Sequence, residues 1–137
     1  AASHRGVYVQ SEYQSTYTTN QTVAQIINGH GGTFSWVGTL SGFQDPVTVV
    51  GCLADTGEVS TSLVQYWYAC AGTGSGPGVR TLQTAPGGQA IAWSFCLPGG
   101  GLLLSNTDQD FIRTNGAGTD AHMRNMLLAL ADAPNCQ

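Results

Sequence analysis

"VRTLQTAPGGQAIAWSFCLPGGGLLLS", residues Val79 to Ser105, decides the fold class. "VRTLQT" and "QAIAWSFC" are strand-like runs flanking "APGG", where Pro86-Gly87 suits the middle of a type II turn, so the pair reads as a β-hairpin. "LPGGG" breaks the chain again before the apolar "LLLS", a short buried strand. Three strands in succession, joined by turns too short for a crossover, predict an antiparallel sheet.

Working outward, "GVYVQSEY" (Gly6 to Tyr13) alternates Val7, Val9 and Ser11 against Tyr8, Gln10 and Glu12 and suits an initial half-exposed strand. "TTNQTVAQIING" then changes period: Thr18 or Thr19 can cap, Val23, Ile26 and Ile27 share a helical face, and Gly29 stands where the C′ residue takes positive φ. His30 falls just past that helix end. "TFSWVGT" (Thr33 to Thr39) and "PVTVVGCLA" are further strands, and Asp55-Thr56-Gly57 is a turn. "SLVQYWYAC" (Ser62 to Cys70), apolar on both faces, is the expected central strand, and "GTGSGPG" (Gly72 to Gly78) the expected flexible loop. In "GTDAHMRNMLLALADAP", Thr119 or Asp120 caps a helix, Met123, Met126, Leu127 and Leu130 form its apolar stripe, and Pro134 ends it. The expected fold is therefore α+β: one domain over residues 1–137, with one twisted, mostly antiparallel sheet of five to seven strands, a short N-terminal helix and a C-terminal amphipathic helix.

Composition narrows the function classes. The formal charge is -4, with only four basic residues. That disfavours DNA or RNA, whose binding draws on phosphate neutralisation, and anionic lipid for the same reason. No apolar run reaches the length of a membrane span. Cys52, Cys70, Cys96 and Cys136 lack metal-ligand spacing and suggest two disulfides, with Cys52–Cys70 and Cys96–Cys136 the preferred pairing of three possible. Disulfides imply a secreted, periplasmic or cell-surface protein, and "AASHRG" would then open its mature form. Four reduced thiols in a cytosolic chain are the alternative.

Candidate sites are few. "NGHGGTFSW" sets His30 among glycines, as in some oxyanion loops, yet "TGSGPG" does not give Ser75 the spacing of a nucleophile elbow. Glu58 with His30 or His122, and Arg80 holding a phosphate, would suit general acid–base chemistry. A short strand, a helix and a meander in a small acidic chain are similar in layout to small secreted microbial ribonucleases, whose Glu, Arg and His project from one sheet face. That resemblance implies Glu58 as base and Arg80 as phosphate ligand. "IAWSFC", however, has no histidine where the general acid is expected, and His122 lies on a terminal helix those enzymes lack. "NTDQD" offers Asn106, Asp108 and Asp110 as oxygen ligands for Ca²⁺, without the glycine and closing glutamate of an EF-hand. "NQT" makes Asn20 a formal N-glycosylation acceptor.

The aromatic residues exceed what one core face needs, and Trp36, Tyr66, Trp67 and Tyr68 are the expected binding residues. The resulting expectation is a secreted or surface-displayed, non-catalytic module without cofactor. It would bind a protein or carbohydrate partner or assemble with copies of itself, with Gly6 to Tyr13 as an exchangeable strand. A ribonuclease-like hydrolase using Glu58, Arg80 and a histidine is the alternative.

Overall fold

The structure is a computed structural model and describes residues 6–41, 43–44, 48–49, 66–107, 126–128 and 130–131. Its elements run β1 (Gly6–Ser11), α1 (Thr18–Gly29), β2 (Thr33–Thr39), β3 (Phe43–Gln44), β4 (Thr48–Val49), β5 (Tyr66–Trp67), β6 (Cys70–Ser75), β7 (Val79–Thr84), β8 (Ala90–Cys96) and β9 (Leu102–Thr107). Six strands of six or seven residues, together with β4, form one sheet along the path β1-β9-β8-β6-β2, with β7 on β8 and β4 on β7. β3 and β5 make a separate two-stranded sheet. Every described ladder is antiparallel except β1 on β9, where Tyr8 lies beside Leu104. The sheet-rich, mostly antiparallel expectation therefore holds.

Side-chain alternation sorts the core into two faces. On one, Val23 and Ile27 of α1 pack over Phe34, Trp93, Phe95 and Leu103. Phe34, Trp36 and Trp93 meet edge to face, with centroids 5.0 to 5.2 Å apart. The other face gathers Leu82, Ala92, Leu102 and Leu104 beneath Met126, with Leu130 against the cluster. Met126 to Leu128, Leu130 and Ala131 are helical. Of the predicted stripe, Met126 points inward, whereas Leu127 is 60% exposed, and Met123 lies outside the described residues.

Two predicted turns are displaced by one or two residues. Tyr17 stands at the N-cap of α1 without a side-chain bond, and Thr18 is already helical. At the other end Gly29 is the last helical residue, and positive φ falls on Gly31. Gly32 N–H reaches back to the Ile27 carbonyl at 3.1 Å, a Schellman closure with Gly31 at C′. In the hairpin, Gly88 N–H bonds the Ala85 carbonyl at 2.8 Å and Gly88, not Gly87, has positive φ. This is the three-residue loop with a left-handed last residue in place of the predicted type II turn.

Two further expectations are corrected. Gly72 to Ser75 belongs to β6, leaving only residues 76–78 as the connection to β7. Of the expected central strand Ser62 to Cys70, the described part gives the two-residue β5 and the start of β6, and the buried middle of the sheet is β8 and β9. The expected disulfides are not supported: among the described residues no cysteine pair lies at disulfide distance, and Cys70 is a buried thiol whose pKa burial pushes up to about 11. Cys96 is half-buried, and Cys52 and Cys136 lie outside the described residues.

Candidate functional site

The site is built where β1 hands over to α1, in "SEYQSTYTTN", Ser11 to Asn20. Ser11 ends the strand with its hydroxyl 2.8 Å from that of Ser105 on β9. The next residue, Glu12, is held by Asn20: its N–H donates to Asn20 Oδ1 at 2.7 Å, and Asn20 Nδ2 donates to its carbonyl at 2.8 Å. The side-chain amide thus pairs with the backbone as a neighbouring strand would. Thr39 Oγ1 donates to the Tyr13 carbonyl at 2.6 Å, and Tyr17 N–H donates to Gln14 O at 3.1 Å. Bonds from α1, from β2 and within the turn therefore fix this short segment.

Fixing the backbone fixes two rings. Tyr13 and Tyr17 stand perpendicular, centroids 5.5 Å apart, with Tyr17 O–H donating to the Tyr13 oxygen at 3.1 Å. Each is 37% exposed. With Glu12, Thr18 and Thr19 they line a shallow cavity of about 370 Å³, within the range of small-ligand sites. The bond to Tyr13 holds the Tyr17 hydroxyl above its ordinary value, and the charge of Glu12 acts in the same direction. Tyr17 thus keeps its proton at neutral pH and donates it to Tyr13, whose own O–H is not used in that bond.

The other sequence-predicted residues are placed as follows. His30 follows α1, its Nδ1 donating to the Ile26 carbonyl at 2.8 Å, so the ring serves the helix terminus. Arg80 is exposed on β7. Its neighbour Val79 packs on the α1 side, while Arg80 pairs with Ser94, which in turn pairs with Leu104 of the opposite cluster. Alternation therefore puts Arg80 on the face away from α1, and the structure does not bring His30 and Arg80 together. Glu58 and His122 lie outside the described residues. Trp36 is half-buried in the aromatic trio and donates Nε1–H to the Asn20 carbonyl at 2.8 Å, which ties β2 to the helix. Tyr68 is 41% exposed with φ of 62°. Tyr66 and Trp67 are placed by the β5 ladder to β3.

Asn20 is fully buried and its amide nitrogen engaged, which corrects the reading of "NQT" as an exposed glycan acceptor. Asn106, from the expected Ca²⁺ set, is buried against the Tyr8 hydroxyl, which also bonds the Gln10 amide. Asp108 and Asp110 lie outside the described residues, and among the described residues no cluster of His, Cys, Asp and Glu could hold a metal. Burial pushes the Tyr8 hydroxyl far above its ordinary value of 10.0, with the Asn106 bond drawing it partly back. A raised folded value stabilises below the unfolded value and loses that contribution as pH climbs. The unfolding free energy from urea titrations should therefore fall from pH 10 upward, by as much as about 1.4 kcal/mol per pH unit for this one proton. Tyr8→Phe should remove that share of the slope.

The chain matches no family model, no curated protein and no solved structure. No helix among the described residues is long and apolar enough to cross a membrane.

Proposed function

We propose that the chain is a non-catalytic contact module, secreted or displayed at a surface, which presents the Tyr13–Tyr17 corner to a protein or carbohydrate partner. The observation that carries this reading is the exposure of two tyrosine rings at a fixed right angle, on backbone held by Asn20, Thr39 and Gln14. Exposed aromatic rings lower their free energy by being covered, and rings already fixed lose little conformational entropy when a partner covers them. With no cysteine pair at disulfide distance among the described residues, the polar, sparsely charged composition is what supports an extracellular location.

A second reading, assembly with copies of itself, is favoured by the contrast between the two ends of the path β1-β9-β8-β6-β2. β2 shifts register between Trp36 and Gly38, and the Asn28 amide pairs with the backbone of Phe34 at 2.7 and 3.0 Å. Both devices blunt an edge. β1, at the far end of the sheet path, carries no charged residue, keeps its register and leaves Val7 49% exposed.

Peptide and glycan arrays probed with the native chain and with the Tyr13→Ala/Tyr17→Ala variant test the first reading. Native signals that the variant loses support it, and signals the variant retains overturn it. In light scattering, a mass that rises with concentration equally in both chains, and that Val7→Lys suppresses, assigns the contact to β1 instead.

A further inference from the structure

We propose that the shallow cavity lined by Glu12, Tyr13, Tyr17, Thr18 and Thr19 binds a neutral saccharide unit, one pyranose ring lying on a tyrosine face with its hydroxyls bonded to the surrounding polar groups. This inference rests on the contact-module reading and names the ligand for it. Size comes first. A cavity of about 370 Å³ lined by five residues has the scale of a small ligand, whereas a stable protein interface covers about 800 Å² on each side. The surroundings agree with that scale, since Gln14, Ser15, Thr16, Thr18 and Thr19 are all exposed hydroxyl or amide residues and extend no apolar surface beyond the two rings.

Charge then selects among small ligands. Glu12 at the cavity wall repels an anion. A cation, which the ring faces and Glu12 would otherwise attract, meets the positive end of α1, whose first turn begins at Thr18 and contains no acidic residue. A neutral molecule avoids both penalties. Geometry supplies the rest: with the rings 88° apart, one can act as floor to the C–H face of a sugar and the other as wall. Tyr17 already donates to Tyr13, so the Tyr13 O–H and the Tyr17 oxygen are the donor and acceptor left at the rim. Ligand hydroxyls serve both roles.

Saturation-transfer difference NMR on the native chain tests this, with methyl glucoside, methyl galactoside and methyl mannoside as neutral probes, glucuronate as the anion and choline as the cation. Transfer to the ring C–H protons of at least one neutral glycoside is expected, with little to glucuronate or choline. Tyr13→Ala and Tyr17→Ala should each weaken that glycoside at least about tenfold. Tyr17→Phe keeps the ring and should weaken it only about two- to threefold. Both rings lie at the surface, and an unchanged emission spectrum of the three tryptophans, Trp36 and Trp93 of the aromatic trio among them, confirms that each variant is folded. Choline binding with silent glycosides overturns the neutral-ligand assignment, and so does glycoside binding that Tyr17→Ala leaves unchanged. Silence from all probes, alongside Tyr-dependent peptide signals on the arrays, overturns the saccharide assignment while leaving the contact module standing.

Discussion

Asn20→Asp should unfold far more readily than the native chain at neutral pH and recover much of its stability near pH 4. Asparagine and aspartate have nearly the same shape, so packing around position 20 is preserved and only the hydrogen-bond polarity changes. The native amide accepts from Glu12 N–H and donates to Glu12 C=O, at 2.7 and 2.8 Å, in a fully buried setting. A carboxylate keeps the first bond but turns an oxygen toward the carbonyl oxygen of Glu12. Neither group can then donate, and a charge is buried beside an acceptor. The expected loss at pH 7 is about 3 kcal/mol or more.

Protonation supplies the missing donor. The substituted carboxyl therefore has a folded pKa above its unfolded value of about 3.9. A raised folded value means that the stability is fully present below the unfolded value and disappears as pH rises through the folded one. Urea midpoints measured from pH 4 to pH 8 should fall steeply for Asn20→Asp and stay nearly level for the native chain. A variant equally weak at every pH would show that the Glu12 clamp contributes little.

Only part of this arrangement is legible in the sequence. A helix beginning near Thr18 and a strand at Thr33–Thr39 are local facts, legible from hydrophobic period and glycine punctuation, and both stand in the structure. The partner of an asparagine amide is not local, so "NQT" looks like an exposed acceptor until Glu12 is seen eight residues upstream. Tyr8 and Tyr13 illustrate the same limit. Both lie in one predicted strand, on alternate faces, and nothing in the pattern tells which ring is covered. Tyr8 is covered because β1 lies beside β9, almost the whole chain away, where it meets Asn106. Tyr13 escapes because the strand stops at Ser11. The sequence signal for the site is the short turn Tyr13 to Tyr17, which brings the two rings edge to face, and it is fainter than the denser aromatic run Tyr66-Trp67-Tyr68.

The glycine errors share one physical cause, and the clearest of them leads to the second large effect. Gly31 and Gly88 take the positive φ expected of Gly29 and Gly87 because the backbone bonds that close each turn set the position, and each turn holds more than one glycine within two residues. "GTGSGPG" was a different case: its glycines suggested mobility, yet Gly72 and Gly74 are strand residues whose missing side chains make room for aromatic rings.

A Cβ at Gly72 would lie 2.7 Å from Phe34 Cζ and 2.7 Å from Trp93 Cζ2. Both rings are buried and locked edge to face at 5.1 Å, so neither can yield without disturbing the trio that joins β2 to β8 across β6. Gly72→Ala should therefore cost about 1–3 kcal/mol, in the range of overpacked cores, although alanine is the better strand-compatible backbone. Gly29→Ala supplies the opposite sign. That glycine ends α1 with nothing within 4 Å of its built Cβ and no positive φ. The same substitution there should stabilise by about 0.5–1 kcal/mol, through lower unfolded-chain entropy and better helix propensity. The two variants carry the same composition, so opposite shifts in urea midpoint would isolate the space above Phe34 and Trp93 as the reason for a glycine in β6. If Gly72→Ala were as stable as Gly29→Ala, β6 would not run close over the aromatic trio, and the packing of the β2–β6 ladder onto the sheet would have to be redrawn.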